Sequence, residues 1–237
     1  MRVKNLILAS SAALALSAGA AMAEPNGWYG AVDAGWHAAK DVTAVNTSGR
    51  NQEWEFDLND GWSAFARLGY RLDANWRLEL EGGYRSGEVT AMTGLSGNPG
   101  LPAAICAPVT LGACGSPEGD INTTTLMLNT IYDFGSADSS FRPFVGIGAG
   151  LARVNTDLLG TVSNARTTGF AADDSSVKLA SQALAGVAWA IGDRAHLDLT
   201  YRYLLTQFEF DSRTSVTANS LGRFEGNFKD SHSVTLG

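Results

Sequence analysis

The chain has 237 residues, with 17 basic and 24 acidic side chains and a net charge of −7. An acidic chain is not expected to bind nucleic acid. Two cysteines and three histidines are too few for a disulfide-rich scaffold or a His/Cys metal centre, and no metal or cofactor is expected.

Residues 1–23 read as an export signal: Arg2 and Lys4, the apolar run Leu6 to Leu16, then Ala21-Met22-Ala23 as a small-residue cleavage site. The run is shorter than the roughly 20 residues a membrane helix requires. Loss of Arg2 and Lys4 leaves 15 of the 17 basic residues against 24 acidic ones, a charge of −9. The remainder, 24–237, is expected to form one domain. No later stretch is apolar and long enough for a membrane helix, so a membrane protein of this sequence has to be a closed barrel.

Eight segments alternate in polarity with a period of two, the signature of a strand with one apolar and one polar face. The first, Gly27 to His37, sets Trp28, Val32, Ala34 and Trp36 against Tyr29, Asp33 and His37. The second, Asp60 to Leu72, opposes Trp62, Leu68 and Tyr70 to Ser63, Phe65, Arg67 and Arg71. In the third, Trp76 to Arg85, the residues Trp76, Leu78, Leu80 and Tyr84 face away from Arg77, Glu79, Glu81 and Arg85. The fourth, Asn122 to Phe134, separates Leu126, Leu128, Tyr132 and Phe134 from Thr125, Met127, Asn129 and Asp133.

The fifth, Phe141 to Arg153, has Val145, Ile147 and Leu151 on one side and an almost bare backbone of glycines on the other. The sixth runs from Val177 to Ile191 and carries Trp189 on its apolar face. The seventh, Ala195 to Tyr203, opposes Leu197, Leu199, Tyr201 and Tyr203 to His196, Asp198, Thr200 and Arg202. The eighth begins near Phe228 and stops at Gly237.

Three connections are short and polar: 73–75, 135–140 and 192–194. The other four, about 38–59, 86–121, 154–176 and 205–227, are long and rich in Gly, Ser, Thr, Asn and Asp, and read as loops. All short turns then lie at one end of the barrel and all long loops at the other, as in outer-membrane barrels. The second loop holds Cys106 and Cys114. In an exported protein they are expected to form a disulfide closing a small loop, since they lack CxxC spacing and a nearby histidine.

Alternation alone does not say which face meets solvent; volume does. Eight strands enclose an interior barely wide enough for side chains, and Trp28, Trp36, Trp62, Tyr70, Trp76, Tyr84, Tyr132, Phe134, Trp189, Tyr201 and Tyr203 cannot all fit inside. They therefore face lipid. Trp28, Tyr70, Trp76, Phe134 and Trp189 fall near the short turns, and Trp36, Trp62, Tyr84 and Tyr203 near the long loops, the two interfacial belts of a membrane barrel. The opposite face carries Asp33, Glu79, Glu81, Asp133 and Asp198 against Arg67, Arg71, Arg77, Arg85 and Arg202. Five of each sign are expected to pair in a neutral lumen network, because an unpaired buried ion costs several kcal/mol.

The segments WYGAVDAGW, NTIYDFG, RPFVGIGAG, LDLTYRY and HSVTLG, in this order, resemble the N-terminal barrel of the outer-membrane protein A (OmpA-like) family and the related opacity-type surface antigens. The resemblance implies an eight-stranded antiparallel up-and-down transmembrane barrel in a Gram-negative outer membrane, with a mainly structural role. Lipid and lipopolysaccharide are the partners it implies. Members often continue into a peptidoglycan-binding domain, and family barrels end on an aromatic-terminated strand. A chain halting at Gly237 is expected to be incomplete in its last strand.

The same residues admit other chemistry. Arg67, Glu79, Glu81, Asp198 and Arg202 could plug or gate a narrow water path, making a low-conductance porin, but static pairing satisfies the same physics. A Ser/His pair acting on lipid A would need one of His37, His196 or His232, and no neighbouring residue singles one out. The acidic stretch Glu53, Glu55, Asp57 and Asp60 is the best candidate for surface recognition or adhesion. GIGAG at Gly146 to Gly150 lacks the spacing and helix of a phosphate cradle.

Overall fold

A chain of alternating polarity satisfies every backbone group in lipid only as a closed sheet, and the computed structural model of the protein is such a sheet. It describes residues 27–40, 42–47, 53–94, 103–108, 113–136, 139–163, 165–192, 195–214 and 220–237. The expected export signal lies outside these residues, as do the middles of the second and third short turns.

Twelve strands are present among the described residues: β1 (Trp28–Lys40), β2 (Val42–Asn46), β3 (Glu53–Asn59), β4 (Gly61–Arg71), β5 (Trp76–Arg85), β6 (Glu88–Gly94), β7 (Ala104–Cys106), β8 (Glu118–Asp133), β9 (Phe141–Val162), β10 (Ala165–Ala190), β11 (His196–Thr214) and β12 (Ser220–Leu236). All pairings are antiparallel. At the short-turn end the ring runs β1–β4–β5–β8–β9–β10–β11–β12 and closes on β1, with Ala34 opposite Leu236 and Lys40 opposite Asp230. Beyond it a second ring runs β2–β3–β6–β7–β9–β10–β11–β12 and closes on β2.

The expected count of eight is therefore corrected to twelve, although each ring has eight staves. Three of the four stretches expected to be long loops (38–59, 154–176 and 205–227) are largely strand, the other, 86–121, contains β6, β7 and the start of β8, and β12 begins at Ser220 rather than near Phe228. Composition misled here. Gly, Ser, Thr, Asn and Asp mark loops only where their neighbours do not alternate, and beyond the membrane these residues are the wet face of a strand.

The sheet reverses its polarity between the two rings. In the first ring Trp28, Val32, Leu68, Leu80, Leu128, Ile147 and Leu199 face outward and are exposed, while charge points in. In the second, Val42, Ala44, Trp54, Phe56, Val89, Met92, Ile105, Ile121, Val154, Leu158, Phe170, Phe208, Phe210, Phe224 and Phe228 form one buried apolar core. Its outer face is polar, with Asp57, Glu118, Asp120, Asp157, Asp173, Asp211 and Glu225 exposed. One ring thus suits lipid and the other water.

The inward phase slips by one residue between His37 and Val42, Leu58 and Ser63, Val89 and Met92, and Phe228 and Ser231. A one-residue slip exchanges the two faces of a strand. Irregular register accompanies two of these slips, at Asp57/Leu58 and Leu204/Thr206.

Candidate functional site

The lumen of the first ring holds the densest chemistry of the molecule. On β5, residues 77, 79, 81 and 85 share one face, so Arg77, Glu79, Glu81 and Arg85 all point inward and are buried. Neighbouring strands bring their own charges to the same axis: Asp33 from β1, Arg67 and Arg71 from β4, Asp133 from β8, Asp198 and Arg202 from β11.

Arg67 sits at the centre. Its Nη2 lies 2.7 Å from Asp33 Oδ1 and 3.0 Å from Asp198 Oδ2, and its Nη1 lies 3.3 Å from Glu79 Oε1. Asp33 offers its second oxygen to Arg202 Nη2 at 2.9 Å, and Arg202 Nε reaches Glu81 Oε2 at 2.9 Å. Towards the short turns, Arg77 joins Glu79 at 3.0 Å to Asp133 at 3.2 Å, and Arg71 meets Asp133 at 3.1 Å. The structure so brings together Asp33, Arg67, Arg71, Arg77, Glu79, Glu81, Asp133, Asp198 and Arg202.

Neutral groups complete the network. Tyr29 Oη donates to Glu79 Oε1 at 2.5 Å, Gln182 Nε2 to Glu81 Oε1 at 2.9 Å and Asn129 Oδ1 at 2.7 Å, and Arg202 Nη1 to Thr235 Oγ1 at 2.6 Å. Two glycines leave room for them. A Cβ on Gly69 would stand 2.1 Å from the Tyr29 ring, and one on Gly148 would stand 2.0 Å from Asn129 Oδ1.

Two corrections to the expected network follow. Arg85 has no carboxylate in bonding range among the described residues. Its Nη1 donates to Thr125 Oγ1 at 3.1 Å, and its guanidinium lies 4.7 Å from the centre of the Phe65 ring, which Arg202 also approaches at 4.1 Å. The cause is position: Arg85 stands at the top of the first ring, where the inward face turns apolar. The ring face substitutes for an anion. The second correction is Arg142, which follows the short turn on β9, lies 3.7 Å from Asp133 and donates to the carbonyl of Ala74. With it, six guanidiniums face five carboxylates, so the lumen is not neutral.

Sequence parity places Tyr29, Phe65 and Asn129 inward but does not say that they join the charges. Arg142 was the one missed ion, and its parity with Phe144 was the signal.

The Nδ1 atoms of His37 and His232 are both engaged in hydrogen bonds. His37 Nδ1 lies 2.8 Å from the carbonyl of His232 and 3.2 Å from Ser233 Oγ. A ring nitrogen that donates to a carbonyl carries the proton and cannot accept one from the hydroxyl. His232 Nδ1 is taken by Tyr201 Oη at 2.7 Å, and His196 is exposed at the turn end of β11.

The belt residues face outward. Trp28, Trp36, Trp62, Tyr70, Trp76 and Phe134 are exposed, and Tyr84, Trp189 and Tyr203 are half-buried. Trp28 pairs with Tyr70 and Trp36 with Trp62 across β1 and β4. Residues 28 to 36, 62 to 70 and 76 to 84 each span nine positions between aromatics, the length of a tilted transmembrane strand, about 9–11 residues. Ring contacts tie the belts together, as between Trp62 and Tyr84 at 5.0 Å and Phe141 and Trp189 at 5.7 Å. Cys106 and Cys114 form a disulfide, their Cα atoms 4.8 Å apart, at the end of β7.

On the second ring, Glu53, Glu55 and Asp57 lie on the outward face of β3. A longer acidic row crosses four strands: Glu88 stands opposite Asp120, Asp120 opposite Asp157, and Asp157 opposite Asp173.

A family model described as "Outer membrane protein beta-barrel domain" matches residues 6–228. Among curated proteins, none matches the sequence. Among solved structures, Neisserial surface protein A is similar at 17% identity and a TM-score of 0.43, with 88% of this chain and 98% of that chain covered. Ail, the attachment invasion locus protein of Yersinia pestis, solved in complex with the heparin analogue sucrose octasulfate, is 10% identical with a TM-score of 0.36, over 88% of this chain and 98% of that one.

Proposed function

The chain belongs to the outer membrane protein β-barrel family, and from that premise we propose that it is a sealed, non-catalytic barrel that supports the outer membrane as a structural element rather than as a pore. The observation that carries this reading is the double closure of its axis. The ionic layer around Arg67 is bonded across the interior by residues of all eight first-ring staves, and above it the second ring is filled by Trp54, Phe56, Phe208, Phe210 and Phe224. Water or a solute on the axis would have to separate paired ions, at several kcal/mol each, and then pass an apolar plug. The partners of this reading are lipid and lipopolysaccharide.

Single-molecule recordings in planar bilayers test it. The wild-type protein is expected to give no discrete current steps, and stepwise openings would overturn the sealed reading in favour of a narrow porin. A deletion strain is expected to take up dyes that an intact outer membrane excludes; unaltered uptake would remove the structural role.

One observation favours a second reading, a surface recognition module. The Glu88–Asp120–Asp157–Asp173 row presents four carboxylates on a regular sheet, and like charges directly opposite destabilise that sheet. A cationic partner or bridging divalent cations would relieve the repulsion. Loss of cell adhesion on neutralising the row would support it, and unchanged adhesion would discard it.

A further inference from the structure

The wall of the barrel parts between β10 and β11. Their ladder pairs Ala171 with Arg213 and resumes only at Ala180 opposite Thr206, a step of nine residues on one strand and seven on the other. In the interval the N–H groups of Glu209 and Asp211 donate to Ser176 Oγ at 3.1 Å and Asp174 Oδ2 at 3.0 Å instead of to backbone carbonyls. At the lower lip, Thr206 Oγ1 donates to the carbonyl of Leu179 at 3.2 Å. On the other side of β11 the register with β12 slips between Leu204 and Thr206.

A groove of about 460 Å³ opens at this point. Its apolar surface is made by Leu179 and Leu205 from the outer face and by Ala180 and Phe228 from the inner one, and the amides Gln207 and Asn227, opposite each other on β11 and β12, stand on its rim. Leu179 is 81% exposed, the most of any large apolar side chain among the described residues. Phe228 belongs to the core of the second ring and lies 5.0 Å from Phe208. The groove therefore reaches from the outer surface towards the apolar plug.

Downwards it is continuous with the lipid-facing belt. The outward residues of β10 below it, Ser181, Ala183 and Ala185, are small, while Leu205, Tyr203 and Tyr201 stand opposite them on β11. A trough results, walled on the β11 side by these larger residues and on the β9 side by Ile147 and Val145, and widened at Ser181 by Ala149 opposite it. Upwards the surroundings are acidic on balance, with Asp174, Glu209, Asp211 and Glu225 against Arg153, Lys178 and Arg223. Lys178 is already engaged with Glu209 at 2.9 Å.

We propose that this groove holds one acyl chain of a phospholipid with an ammonium headgroup, of the phosphatidylethanolamine class. The ester region meets the Gln207 and Asn227 amides, the first methylenes pack against Leu179, Leu205 and Phe228, the rest of the chain runs down the β10 trough towards Ala185, and the ammonium faces the acidic surroundings. Apolar contact with Leu179 and Leu205 removes them from water. The surplus of carboxylates disfavours the phosphates of a lipopolysaccharide or of an anionic phospholipid.

Full-length protein in phosphatidylethanolamine/phosphatidylglycerol vesicles, doped with phosphatidylethanolamine carrying a diazirine on an acyl carbon close to the ester, tests this by photolabelling and peptide mass mapping. Adducts on the segments around Leu179, Leu205 and Phe228 are expected to exceed those around Trp62 and Tyr84, on β4 and β5 of the opposite wall, about fivefold. Ser181→Trp, which fills the trough, is expected to abolish that excess and leave the opposite wall unchanged. Ser181→Leu gives the same comparison should the larger side chain prevent folding, which heat-dependent gel mobility reports. Equal labelling round the belt, or an excess that survives filling, would overturn the groove. Equal labelling of the groove by a phosphatidylglycerol probe would overturn the choice of headgroup. No labelling anywhere would overturn membrane insertion itself, on which the inference rests.

Discussion

Arg67 Nη2 lies 2.7 Å from Asp33 Oδ1, and both side chains are closed off from solvent. Their loss is not symmetrical. Without Arg67, Asp33 keeps Arg202 and Glu79 keeps Arg77, whereas Asp198 has no other ion-pair partner among the described residues. Arg67→Met is expected to destabilise the barrel by about 3–5 kcal/mol, the penalty of a buried charge left alone. Adding Asp198→Asn should recover part of that loss, and adding Glu79→Gln should not. Urea unfolding in vesicles, followed by tryptophan fluorescence, separates the two pairs.

The plug of the second ring predicts a different kind of failure. Phe210 stacks on Phe224 at 5.3 Å and meets Phe56 edge-on at 5.9 Å. Phe210→Ala should cost about 3–5 kcal/mol, confined to the second ring. Hydrogen exchange is expected to rise in β2, β3 and the upper part of β12 while β1, β4 and β5 stay protected. Uniform loss of protection would mean that the two rings melt as one unit.

β7 completes the second ring, pairing Ile105 with both Met92 and Val162, and the disulfide Cys106–Cys114, eight residues apart, holds its end. Closure of so short a loop is worth about 2–3 kcal/mol. Reduction should increase exchange at β7 and at Thr161–Val162 of β9 and leave the membrane ring unchanged. Exchange that does not respond to reductant would show that pairing alone holds β7.

Asp73, in the first short turn, accepts the backbone N–H groups of Asn75 and Trp76, each at 2.8 Å. These two bonds hold its carboxyl below the usual value of 3.8. A depressed acid contributes stability that is present above its unfolded pKa and lost as pH falls through the folded one. The difference in urea midpoint between wild type and Asp73→Ala should therefore be constant above about pH 4 and shrink below it. A difference independent of pH would assign the turn to backbone geometry alone.

Asp120 has the opposite sign. Desolvation, and then the carboxylates of Glu88 and Asp157, raise its carboxyl above 3.8. A raised acid destabilises the fold once ionised, so Asp120→Asn should stabilise the protein at neutral pH by about 0.5 kcal/mol. The gain should vanish as pH falls below the usual carboxylate value and diminish with salt. A gain that persists at pH 3 would point to packing instead of charge.

The period of two in LDLTYRY and WRLELEGGYR was legible because each strand crosses lipid without a break, and the pleat allows only one assignment of faces. Volume then oriented them: no eight-stranded lumen holds Trp28, Trp36, Trp62 and Trp76 together. Parity also named nearly every ion of the lumen. It could not name their partners, because Arg67 meets Asp198 across 131 positions of sequence and only ring closure fixes that distance. Arg85 shows the limit well: its parity matches that of Glu79, yet its height sets it against Phe65.

By itself, then, the order of residues determined a lipid-facing barrel with an ionic axis, since alternation and side-chain volume are local or additive properties. Only the tertiary structure decided that the barrel continues past the membrane as a second ring with its polarity reversed. The physical reason is register. Slips such as that between Phe228 and Ser231 exchange the faces of a strand, and polar residues that look like loop in a linear reading become the solvent side of a sheet once Phe208, Phe210 and Phe224 meet beneath them.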